Sequence, residues 1–101
     1  MAVRYIVLLS LQTGERDAFN AYEKRAATIM ARHGGRLVDA YILEGESDPG
    51  ECHILEFRDE AGFAAYRADL DLAALAGKRA ACIRDTQIFR AAPNHALNAK
   101  N

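Results

Sequence analysis

The chain has 101 residues, a formal net charge of −1 and an apolar fraction of one half. That length holds one domain, since a second core would need roughly 50 more residues, and 27% charged residues in near balance exclude wholesale disorder. There is no basic excess to displace phosphate counterions, which argues against nucleic acid as a main partner. No apolar run approaches the ~20 residues that span a bilayer.

Twenty of the apolar residues are Ala, leaving 31 larger side chains for a core. The start, Met1-Ala2-Val3-Arg4-Tyr5, has neither a charged n-region nor a small-residue cleavage site, so no signal peptide is expected. Cys52 and Cys82 are too few for a disulfide framework. The expectation is a cytoplasmic protein with reduced thiols.

Arg4 to Leu11 (RYIVLLSL) is β-branched and aliphatic and reads as a strand. Its two faces, Tyr5, Val7, Leu9, Leu11 and Arg4, Ile6, Leu8, Ser10, are both mostly apolar. Thr13-Gly14 breaks the run. From Glu15 to His33 the period changes, and Phe19, Tyr22, Ala26, Ile29, Met30 and His33 recur at helical steps. Glu15 and Asp17 in the first turn and Arg32 and His33 in the last suit the helix dipole. Asp17, Glu23, Lys24, Arg25 and Arg32 lie mostly off the apolar stripe. Gly34-Gly35 supplies the left-handed stop.

Arg36 to Leu43 and Cys52 to Arg58 read as the second and third strands. The polar, turn-rich segment 44–51 between them predicts an antiparallel hairpin. Asp59 is the expected N-cap of the next helix, whose stripe is Phe63, Tyr66 and Leu70. A break at 69–72 follows, with Asp71 recapping a segment that carries Leu72, Leu75, Ala76, Arg79 and Ile83. Asp85 to Ala91 closes as a fourth strand. Pro93 starts a polar tail over 93–101 that is expected to fray, so the domain is taken as residues 1–92.

The order βαββαβ is that of the ferredoxin-like α+β fold: a four-stranded antiparallel sheet with both helices on one face. A sheet with one wet face should alternate apolar and polar residues. The doubly apolar first strand therefore predicts a homodimer in which two sheets pack face to face. The alanines cluster in the helices, where they are expected to allow close approach to the sheet.

Several segments together resemble an uncharacterised bacterial family of the dimeric α+β barrel superfamily. They are YEKRAATIMARHGGRL, HILEFRDEAGFAAYRADLDLAAL and the short last strand. The shared features are Glu56-Phe57 at the end of strand three, the Asp59 cap, Phe63 with Tyr66, and Gly34-Gly35-Arg36. The resemblance covers about residues 4–91. It implies the dimeric barrel fold. It also implies kinship with cofactor-independent quinol-type monooxygenases, muconolactone-isomerase-like enzymes and haem-degrading enzymes, and no residue pattern here singles out one of them. Fold kinship does not transfer chemistry.

The chemistry-bearing residues each have two readings. His53, the histidine predicted inside a strand, is either a proton-transfer group or a hydrogen-bonded strand residue. Glu56 shares a face with Ile54 and Arg58; it is either a base of raised pKa or an arm of an ion pair with Arg58 or a partner subunit. Parity puts His53 and Glu56 on opposite faces unless a bulge intervenes.

Hairpin register leaves two pictures open. If Leu43 faces Cys52, Asp39 pairs with Glu56. If Leu43 faces His53, Asp39 meets Phe57 and Tyr41 meets Leu55. Tyr5, Tyr22, Tyr41 and Tyr66, with Phe19 and Phe63, are either a cleft for a flat ligand or plain core.

Glu44, Glu46, Asp48 and Glu51 do not follow an EF-hand order and read as a solvated hairpin tip. No Cys/His set has zinc spacing, and no nucleotide or serine-hydrolase motif occurs. No metal or cofactor is expected. The leading expectation is a small hydrophobic molecule bound, or transformed by cofactor-free proton transfer or oxygenation, in the cleft between sheet and helices. Glu56 and His53 are its candidate catalytic residues. Tyr41, Arg58, Tyr5, Tyr22 and Tyr66 are its candidate binding residues. The alternative is a non-enzymatic binding or interaction module.

Overall fold

Alternation along the first strand separates the layers of the molecule. In the computed structural model, which describes residues 2–45 and 48–98, β1 (Val3–Leu11) turns Val3, Tyr5, Val7 and Leu9 into the core. Helix α1 (Arg16–Ala31) buries Phe19, Tyr22, Ala26, Ile29 and Met30 against them, the predicted stripe at three- and four-residue steps.

Gly34 ends the helix region at φ +75°, a conformation that costs L residues but not glycine. Gly35 opens β2 (Gly35–Ile42) for a different reason: a Cβ there would stand 2.3 Å from the Phe57 ring. Then come β3 (Glu51–Phe57), α2 (Glu60–Arg67), α3 (Leu70–Ala73), α4 (Ala76–Cys82), β4 (Ile83–Ala91) and the single turn α5 (His95–Asn98). The strands pair antiparallel in the order β2-β3-β1-β4. This is the ferredoxin-like arrangement, with the βαββαβ order read from the sequence.

Asp59 caps α2 as predicted, its side chain accepting from the Gly62 N–H at 2.8 Å. The second crossover breaks where expected, but the cap is Asp69 rather than Asp71. The Asp69 carboxylate accepts from the Asp71 N–H at 2.7 Å. His33 Nε2 meets the same carboxylate at 2.7 Å and Arg32 lies 3.6 Å from it. The end of α1 is thereby tied to the start of α3.

The alanines depart from expectation. Ala26 is buried, while Ala61, Ala64, Ala65, Ala73, Ala74 and Ala76 of the second crossover are exposed. The tail differs as well, since residues 95–98 form a turn of helix and Pro93 and Asn98 border a hollow with Ala2 and Arg4. Glu46 and Ser47 of the hairpin tip and residues 99–101 of the tail lie outside the described residues.

The hairpin adopts neither anticipated register. A bulge at Val38 shifts the pairing, so that Leu37 faces Leu55 while Asp39 faces Ile54, Ala40 faces His53 and Tyr41 faces Cys52. Were the pairing of Leu37 with Leu55 continued without a bulge, Val38 would face Ile54 and Asp39 would stand opposite His53 on the helix-covered face, where a carboxylate is costly. The bulge moves Asp39 and Tyr41 to the opposite, open face of the sheet. There Ile6, Leu8 and Ile54 are half-buried, and Phe89, paired to Ile6, is about half exposed. No helix among the described residues is long and apolar enough to cross a membrane.

Candidate functional site

The helix-covered face of the sheet is incompletely filled. β1 contributes Val7 and Leu9, β3 contributes His53 and Leu55, and β4 contributes Thr86 and Ile88 to the floor of a cavity of about 460 Å³. Its walls are Tyr22, Glu23 and Met30 of α1 and residues of the three short helices after β3. The reason is local. The second crossover turns twice within some twenty residues, and Ala73 and Ala76 face the space that larger side chains would occupy.

His53 lies on this floor, 3% exposed. Its Nε2 is 2.9 Å from Glu51 Oε2 and its Nδ1 is 3.6 Å from Glu23 Oε1. Glu51, two residues earlier on the same face of β3, is itself 5% exposed and accepts from Arg16 Nη1 at 2.5 Å. A buried carboxylate thus receives two donors, as burial requires. A continuous polar row, Arg16–Glu51–His53–Glu23, runs from the α1 N-terminus to the cavity wall.

Hydrogen bonding of Nε2 to Glu51 assigns the ring proton to that nitrogen and aims Nδ1 at Glu23. Burial raises the Glu23 carboxyl above its ordinary range, the charges of His53 and Arg79 oppose that rise, and Glu51 adds to it. Burial also raises the Tyr22 phenol, with Arg79 beside it opposing the shift, and pushes the Tyr66 phenol up strongly.

Of the seven residues singled out in the sequence, His53, Tyr22 and Tyr66 come together around the cavity. Tyr5 is buried just outside it, stacked on Phe63 with ring centroids 3.9 Å apart. The other three do not enter the cleft. Glu56 points to the open face, where Arg4 Nε donates to it at 3.0 Å and Arg36 Nη2 at 3.0 Å. These cross-strand guanidinium groups hold its carboxyl below the usual range, the reverse of the raised value a buried base would need, and its partners are Arg4 and Arg36 rather than Arg58. The bulge carries Tyr41 to the same open face, and it is about half exposed. Arg58 is exposed and lies against Gly34.

Glu23 and Glu51 were missed. Glu23 passed as an off-stripe charge, although it stands four residues after Phe19 and three before Ala26. Glu51 falls in the 44–51 loop on sequence alone, yet it is the first residue of β3. Beginning β3 one residue earlier puts Glu51, His53, Leu55 and Phe57 on one face by simple alternation. Asp48 stays exposed at the hairpin tip, where it pairs with Arg84.

Among solved structures, a protein of unknown function from Rhodopseudomonas palustris superposes with a TM-score of 0.71 at 22% identity, over 91% of this chain and 82% of that one. A DABB-family protein with a ferredoxin-like fold from Mesorhizobium loti gives 0.68 at 16% identity, over 91% and 96%. A NIPSNAP-family protein of unknown function from Agrobacterium tumefaciens gives 0.66 at 21% identity, over 92% and 90%. At these identities the likeness is one of fold. No curated protein matches the chain. The model of a domain of unknown function, DUF1330, matches residues 4–92. With that match spanning both crossovers and all four strands, the chain belongs to the DUF1330 family.

Proposed function

We propose that the sheet–helix cleft binds a small, largely apolar organic molecule and that His53, with Glu23, exchanges a proton with it. One observation carries this reading: a buried imidazole, held by Glu51 on one nitrogen and facing Glu23 with the other, on the wall of a cavity of about 460 Å³. That volume lies within the range of small-ligand sites. The raised Glu23 carboxyl and His53 Nδ1, 3.6 Å apart on the cavity wall, are a donor and an acceptor suited to proton transfer to or from an enolisable carbon or a phenolic oxygen.

The test is titration of the ¹⁵N-labelled protein with 1,3-dicarbonyl compounds and phenols, alongside exchange of their acidic C–H protons in D₂O. The expected result is shifts confined to cleft residues and protein-accelerated exchange that His53→Gln and Glu23→Gln each abolish. Shifts without exchange would leave a binding module, the rival class. The absence of shifts at the cleft would sink the site.

The open face supports a second reading, that the chain pairs with another copy of itself through its sheet. Ile6, Leu8, Ile54 and Phe89 form an apolar centre bordered by the Arg4–Glu56–Arg36 ion pairs, an apolar core with a polar rim of the kind interfaces use.

A further inference from the structure

We infer that the molecule the cleft takes is an organic anion, seated on Arg79 by a carboxylate or an equivalent planar oxyanion. This rests on the reading of the cleft as a ligand site and specifies the ligand's charge.

Arg4, Arg16, Arg32, Arg36, Arg84 and Arg90 each meet a carboxylate. Of the two half-buried ones, Arg16 is matched by Glu51, whereas Arg79 has no ion-pair partner among the described residues. A guanidinium partly withdrawn from water needs a counter-charge to offset its lost hydration. Glu23 on the same cavity wall is near enough to feel the Arg79 charge but makes no ion-pair contact with it.

Its position is nonetheless fixed. Arg79 Nη2 donates to Thr86 Oγ1 at 2.6 Å, across from α4 to the cavity floor. The group has five donors in a rigid fork; with Thr86 and the Tyr22 hydroxyl beside it as its neutral partners, N–H donors remain for a planar anion. Arg67, the other cation on the cavity wall, is held over the Phe63 ring, 5.6 Å from its centroid. Among the described residues the wall thus carries two guanidinium groups against one carboxylate, Glu23, whose carboxyl burial raises. The cavity is electropositive, with apolar surface from Leu55, Phe63 and Leu72 for the body of the ligand.

The experiment compares two probes of one shape, 3-phenylpropanoate and 3-phenylpropanamide, by calorimetry and NMR on the whole chain at pH 7. The acid should bind at least about tenfold tighter than the amide, as a charge-assisted bidentate contact implies, and should shift the side-chain Nε–H of Arg79. Arg79→Met should erase the preference, and Arg79→Lys, which keeps the charge but not the fork, should restore part of it. Equal affinities, a preference for the amide, or a preference that survives Arg79→Met would overturn the anion assignment while leaving the cleft a ligand site. Failure of both probes to bind the native protein would overturn the assignment and the cleft reading together.

Discussion

At the scale of single residues, the polar row behind the cavity sets His53 apart from an ordinary strand histidine. Glu51 positions the ring, and Arg16 secures Glu51. Replacing Glu51 with Ala should cost about 1–3 kcal/mol, because it leaves a buried imidazole N–H without an acceptor. Arg16, more than a third exposed, can turn to solvent instead. Urea denaturation reads the cost, and ¹⁵N shifts of His53 should show loss of the single tautomer.

Glu23 makes the opposite prediction. Its carboxyl is raised in the folded protein, so the native state binds the proton more tightly than the unfolded chain does. Stability from this group is therefore fully present below the ordinary carboxylate value and falls as pH rises through the folded one. Glu23→Gln should raise the melting temperature at pH 7 and lose that advantage at pH 4. A variant less stable than the native protein at pH 7 would contradict the sign. A residue whose replacement stabilises the fold fits a site kept for function at some cost to stability.

At the scale of elements, the turn between α1 and β2 divides its work between two glycines. Gly34 adopts the left-handed conformation, and Gly35 admits the Phe57 ring and the Met30 side chain. Gly35→Ala should destabilise by about 1–3 kcal/mol through overpacking. In a domain of this size that lowers the melting temperature by roughly 4–8 °C per kcal/mol. The bulge at Val38 is the other decisive local device. Deleting Val38 removes the extra residue while leaving Asp39 opposite Ile54 and Tyr41 opposite Cys52, so the pairing should become regular and the thermal melt should stay cooperative; loss of the cooperative transition would show that the bulge itself is needed. The broken second crossover matters for the same reason, since its short helices and small side chains leave the cavity that a continuous, leucine-rich helix would fill.

At the scale of the whole molecule, the two faces of the sheet have different tasks. One carries the core and the cleft. The other is apolar at its centre, and the single chain leaves it uncovered. Sedimentation equilibrium at micromolar concentration should give twice the 11.1 kDa chain mass, and Phe89→Glu, placing a charge at the centre of that face, should reduce it to one. A native monomer at that concentration would overturn the pairing. Because Glu56 and Tyr41 lie on this face and His53 on the other, a Glu56→Gln change should alter self-association and leave ligand binding in the cleft untouched.

The order of elements, the α1 stripe, the Asp59 cap, the Gly34-Gly35 stop and the two apolar faces of β1 are all readable along the chain. Each depends on periodicity or on backbone preferences acting over a few residues, so each is written locally. The same alternation already separated His53 from Glu56. Tertiary structure alone decided which polar groups meet. Arg16 finds Glu51 and Glu23 faces His53 across about thirty or more residues of chain. The Val38 bulge sets the register that sends Tyr41 and Asp39 outward, while Glu56 goes to Arg4 and Arg36. Such meetings depend on strand register and helix placement, where a one-residue slip exchanges faces, and no local pattern records them. The elements of the fold were therefore legible in the chain, whereas the candidate site existed only once they had packed.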